Sequence, residues 1–160
     1  MNSPSDGFFA LKSAHDLRDK LRRDLEKLHA SPLDSDAAFN FFVTSEHLLD
    51  WVFPKNAGKA LRTKQRNDSI YLRICSHLAN GAKHFEVEDK RHDSVERTKL
   101  ATGGYFGSSY FGSSYFGALS PRFLIVHLKG AAAKELGPSI SVRELANRLM
   151  ALWDAHEAIP

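Results

Sequence analysis

The sequence predicts an α+β fold that is mainly α: an antiparallel core of three to four helices with a β-hairpin inserted before the C-terminal helix. Three observations predict it. Apolar residues recur in steps of three and four between positions 8 and 53, and again along 70–85 and 142–153. Between the last two stretches a Gly- and Ser-rich passage runs into PRFLIVHLKG, a continuous apolar run of strand character. A length of 160 residues with 42% hydrophobic and 26% charged side chains suits one domain with a core of ordinary size. Within it, 8–85 reads as the helical core, 86–141 as the hairpin and loop insertion, and 142–157 as the closing helix.

The first helix is expected from about Phe8 to His29, where Leu11, Ala14, Leu17, Leu21, Leu25 and Leu28 share a face and Arg18, Asp19 and Arg22 lie on the wet side. HASPLDSD interrupts it, with Pro32 as the stop and Asp34 to Asp36 available to cap the second helix. That helix, about Asp36 to Phe53, carries Phe39, Phe42, Val43, Leu49, Val52 and Phe53 and is predicted to be central to the core. Its polar members, Asn40, Thr44, Glu46, His47 and Asp50, are conspicuous for that reason. Pro54 ends it, and KNAGKALRTKQR reads as a basic, solvated linker.

Asn67, Asp68 or Ser69 can cap a third helix reaching about His84, with Ile70, Ile74, Leu78, Ala82 and Phe85 as its apolar stripe. After the strand-like run, ELGPSISV is expected as a short strand or turn. Ser141 and Glu144 form a capping box for the last helix, which turns Val142, Leu145, Leu149, Leu152 and Trp153 inward.

Several function classes are excluded. Cys75 is the one cysteine, so neither an intrachain disulfide nor a cysteine-based zinc cage can form. No P-loop, dinucleotide-binding glycine motif, Ser-His-Asp arrangement or kinase signature is present. No cofactor is expected. The start of the chain lacks the basic and apolar parts of a signal peptide, and no run of 18 apolar residues exists, so a cytoplasmic protein with no membrane partner is expected.

Two features carry chemistry. Charge is uneven: residues 1–54 hold 6 basic and 9 acidic side chains (−3), residues 55–99 hold 11 and 6 (+5), and residues 100–160 hold 5 and 4 (+1). The basic excess opens with Lys55, Lys59, Arg62, Lys64 and Arg66 without one acid among them, a pattern that attracts phosphate backbones. The second feature is a polar line on the third helix: Arg73, His77, Asn80 and His84, spaced four, three and four apart and therefore stacked on one face, with Lys83 beside them. The line reads either as a polar clamp to another element or as acid/base and phosphate-binding groups. Metal is the weakest reading, since His77 and His84 stand about 10.5 Å apart along the axis and no Glu-x-x-His motif accompanies them. On the second helix, Glu46 and Asp50 are placed to meet an arginine such as Arg73 or to orient a histidine.

Two long amphipathic helices, a basic link and a third helix with an Arg/His/Asn face resemble the HEPN superfamily of small helical bundles. The resemblance covers residues 8–85 and the closing helix, and LANGAKHF also resembles small bacterial proteins without an assigned function. It implies a binding or interaction module contacting RNA or a nucleotide. A ribonuclease using His77 or His84 with Arg73 and Asn80 is the alternative it implies. HEPN ribonucleases carry Arg followed by His after four to six residues; Arg73-x3-His77 is one residue short. Formal matches at Arg22 and Arg23 with His29, and at Arg122 with His127, are no more than chance supplies among eight histidines.

Residues 105–117, YFGSSYFGSSYFG, repeat with a period of five that fits neither helix nor strand. Near-identical copies suggest a tandem duplication in a protruding hairpin or loop. Self-association through an aromatic arm, giving a structural homo-oligomer, is the third expectation.

Overall fold

Ser13 decides where the first helix begins. Its hydroxyl accepts the Asp16 N–H at 3.1 Å, and helix α1 runs Ala14–Ala30, so it starts six residues later than the apolar spacing suggests. Phe8 and Leu11 instead close a small bridge ahead of it. The computed structural model describes residues 8–83, 93–102 and 122–156. His84, the repeat at 105–117 and residue 157 lie outside the described residues; the closing helix, expected to reach 157, ends at Asp154.

Asp34 accepts the N–H groups of Asp36 and Ala37 and caps α2 (Ser35–Val52), the most apolar of the helices. Phe41, Leu48 and Leu49 on it are fully buried, as the expected central position requires. The basic stretch after Pro54 is not a linker. A single 3-10 turn at Asn56–Gly58 leads into a helix, α3 (Lys59–Asp68). Gly58 is required there, because a Cβ would sit 2.1 Å from the carbonyl oxygen of Phe53. Helix α4 (Ile70–Lys83) comes immediately after, with the Ser69 hydroxyl accepting the Leu72 N–H at 3.3 Å.

Strand β1 (Val95–Thr102) and strand β2 (Arg122–Leu128) pair antiparallel, with an irregularity between Val95 and Arg97. A short helix, α5 (Gly130–Leu136), ends at Gly137, whose φ of 88° suits glycine. Strand β3 (Ser139–Ser141) then pairs with β2 to give the order β1-β2-β3. Ser141 accepts the Glu144 N–H at 3.1 Å and starts α6 (Val142–Asp154), as its sequence predicts.

The fold is therefore mainly α with a small antiparallel sheet. Helices α1, α2, α4 and α6 meet in one hydrophobic cluster that includes Leu21, Phe41, Leu72, Leu145 and Trp153, and the sheet adds Val95, Val126 and Leu128. Two polar ties cross that core. The Trp153 indole N–H donates to the Ser45 hydroxyl at 2.9 Å. Lys20 donates to Thr44 at 2.7 Å, and Thr44 donates to the buried Asp24 at 2.9 Å, joining α1 to α2. Arg18, expected on the wet side, is buried, because it sits three residues before Leu21 on the same face. Among the described residues no helix is long and apolar enough to cross a membrane.

Candidate nucleic-acid interface

Helix α3 has no apolar stripe to bury; its one large apolar side chain, Leu61, is 48% exposed. What holds it to the body is a pair of arginines one turn apart. Arg62 donates from Nη1 to the carbonyl oxygens of Phe53 and Lys55, the latter at 3.0 Å, and its Nε lies 3.1 Å from Asp50. It thereby supplies a donor to the carbonyl of Phe53, which caps α2, and puts positive charge at that helix's C-terminus. Arg66 reaches Glu46 of α2 with both Nε, at 3.1 Å, and Nη2. Ser76 of α4 donates to the same carboxylate oxygen at 3.3 Å, so Glu46 joins α2, α3 and α4.

With the arginines turned inward, Lys55, Lys59 and Lys64 are left exposed. Lys64 pairs with Asp68, but both are more than half exposed, and such a pair contributes little and competes weakly with a ligand. The sequence thus brings five basic residues to one segment, and the fold divides them into two anchors and three accessible charges. A planar guanidinium suits carbonyl and carboxylate partners, whereas an ammonium stays hydrated.

Helix α4 treats its polar line differently. The ring nitrogen Nδ1 of His77 accepts the backbone N–H of Val95 at 3.1 Å and lies 3.4 Å from the Ser94 hydroxyl, which also approaches the carbonyl oxygen of Arg73 at 3.5 Å. His77 therefore ties α4 to the start of β1, with its proton on Nε2. Asn80 donates back to the carbonyl oxygen of Ser76 at 2.8 Å, a bond within its own helix. Arg73 is half-buried, and its Nε finds no hydrogen-bond partner among the described residues. Glu46 and Asp50 meet Arg66 and Arg62, the arginines of α3, where spacing alone had offered Arg73. Lys83 is the last residue of α4.

Behind this face lies Cys75, fully buried with its thiol 3.5 Å from the carbonyl oxygen of Phe42. Burial, reinforced by the Glu46 carboxylate, pushes that thiol far up, so it stays protonated and is a poor nucleophile. Among the described residues no group of three or more His, Cys, Asp or Glu side chains is placed to hold a metal ion.

No protein-family model, curated protein or solved structure matches the chain.

The other Arg/His spacings do not assemble. Arg22 pairs with Asp19 and Asp154, His29 meets Asn147, and Arg122 and His127 lie five residues apart on β2 and so on opposite faces. The residues missed in sequence are the inward partners: Ser76 under Glu46, Ser94 and Val95 on His77, and Ser45 on Trp153. The Lys20–Asp24–Thr44 tie was missed as well, although Lys20 and Asp24, four apart on α1, carried a local signal.

Proposed function

We propose that this chain is a HEPN-like binding module that contacts single-stranded RNA through Lys55, Lys59 and Lys64, the exposed lysines of α3 and of the turn before it. One observation carries the reading: α3 has no buried residue, is fixed by two arginines, and displays Lys55, Lys59 and Lys64 to solvent on a rigid support. An element that buries nothing gives the core little, so its charge pattern needs another reason. Three lysines spaced along a helix and the turn before it suit a run of phosphates, and phosphate contacts alone give affinity without sequence preference. The ribonuclease alternative needs His77 to move protons, and its Nδ1 already accepts the Val95 N–H.

The test is a titration of labelled single-stranded RNA monitored by fluorescence anisotropy at several salt concentrations. Three phosphate contacts give a slope of log K against log salt of about −2, and replacing Lys55, Lys59 and Lys64 by glutamine flattens it by that amount. Failure to bind RNA at low salt, or an unchanged slope in the variant, contradicts the reading.

A further inference from the structure

The sheet order β1-β2-β3 leaves β1 at an edge, and among the described residues no strand pairs with its outer side. An open edge is a row of main-chain donors and acceptors already in register for another strand. The side chains of Glu96, Arg97, Thr98, Lys99 and Leu100 are all exposed, so nothing in the described residues covers it. Beside the edge, between α2, α4 and the sheet, lies a groove of about 300 Å³. Its walls include Phe39, Leu78, Ala82, Leu100 and Leu124, and Phe39 and Leu100 are each 48% exposed.

Edge and groove belong to one geometry. The register sets Leu100 opposite Leu124 and Thr98 opposite Val126, on the face turned to the helices. Lys99 stands opposite Ile125 and Arg97 opposite His127, on the other face. A strand added outside β1 therefore meets an apolar groove on one face and Arg97 and Lys99 on the other, with Glu96 at the irregularity before Arg97. Its own side chains must alternate apolar and acidic to suit both. A second copy of β1 does not suit. With both sets of helices on one side of the joined sheet, the registers of greatest overlap set Arg97 against Lys99, or Lys99 against itself. Like charges directly opposite are destabilising.

We propose that the β1 edge is a docking site for an extended acidic segment of a partner protein, which adds as a fourth strand and places an apolar side chain in the groove between Phe39 and Leu100. Main-chain hydrogen bonds supply affinity in such strand addition, and the pockets for alternate side chains supply selectivity. This surface is separate from the lysines of α3.

The experiment uses the full chain and a fluorescein-labelled hexapeptide that alternates valine and glutamate, read by anisotropy. Saturable binding is expected, and a fully N-methylated peptide of the same sequence, which cannot donate main-chain hydrogen bonds, should not bind. Leu100→Glu puts a carboxylate in the groove and should weaken binding roughly tenfold or more. Lys99→Glu should weaken it less and reduce its salt dependence. Both side chains are exposed, so neither change threatens the fold; an unaltered melting temperature confirms that. No saturation at about 1 mM protein, equal binding of the methylated peptide, or indifference to Leu100→Glu each overturns the proposal.

Discussion

Helices α3 and α4 are consecutive in the chain, and both carry polar side chains at helical spacing, yet the fold uses them in opposite ways. On α3 the arginines are engaged by α2 and the lysines are left exposed, so the helix is an outer layer with charge to offer. On α4 the apolar stripe faces in, with Leu72, Ile74 and Cys75 fully buried; of the polar line, His77 is taken up by β1 and Asn80 by the helix itself. Spacing identifies a face but not its partner. What decides is whether another element brings a complementary backbone or side-chain group to that face. For α4 that element is the Ser94–Val95 corner; for the lysines of α3 the described residues bring only Asp68.

Four substitutions or conditions separate these two roles. The largest effect is expected from Glu46→Ala, which leaves the Arg66 guanidinium half-buried without its carboxylate and removes the acceptor of Ser76. A loss of about 2–3 kcal/mol in urea unfolding is expected, below the full cost of breaking a buried pair because both side chains keep some contact with water. His77→Ala comes next. It strands the Val95 N–H at a buried residue and should cost about 1–3 kcal/mol, while His77→Asn, which keeps an acceptor near Nδ1, should cost less. Equal losses in the two His77 variants would remove the clamp.

Replacing Lys55, Lys59 and Lys64 together by glutamine should leave stability nearly unchanged, within about 0.5 kcal/mol for each surface site, in the same urea experiment. A large loss would make the lysine face architectural. The smallest effect is at the start of α1. The Lys12 backbone N–H, and then the Ser13 hydroxyl, hold the Asp16 carboxyl below its usual range. Because the folded form ionises more readily, this stabilisation is present above the ordinary carboxylate range and is lost as pH falls through the lowered value. NMR titration should show Asp16 protonating at a lower pH than an unstructured aspartate, with the first turn of α1 loosening only at that acid end; an Asp16→Asn variant should lose the pH response.

Much of the fold was legible in sequence because burial leaves a periodic trace. Ser141 with Glu144 announced α6, and Phe42 and Leu49 announced the central helix, although Phe39, expected inside, is 48% exposed. Strand β1 left no such trace, since VERTKLAT lies at a sheet edge with five consecutive exposed side chains and no alternation to read. Helix α3 was equally silent: without an apolar stripe, its helical state depends on Arg62 and Arg66 finding Asp50, Glu46 and two carbonyls in segments already folded. The candidate site was half legible for the same reason. Which residues were basic or polar was plain, but His77 meets its partner across a polar stretch of 17 and 18 residues, and no local pattern encodes that meeting. His84 and the YFGSS repeat remain expectations, as both lie outside the described residues.

In the proposed reading the exposed lysines of α3 and of the turn before it hold the ligand, while His77 on α4 is a structural clamp. One anisotropy titration of labelled single-stranded RNA tests it, run at low and moderate salt on the wild-type chain, the Lys55, Lys59 and Lys64 glutamine variant, and His77→Asn. Salt-sensitive binding that the lysine variant loses and His77→Asn retains is the predicted result. Binding that survives the lysine changes but disappears with His77→Asn would contradict it and return the site to α4.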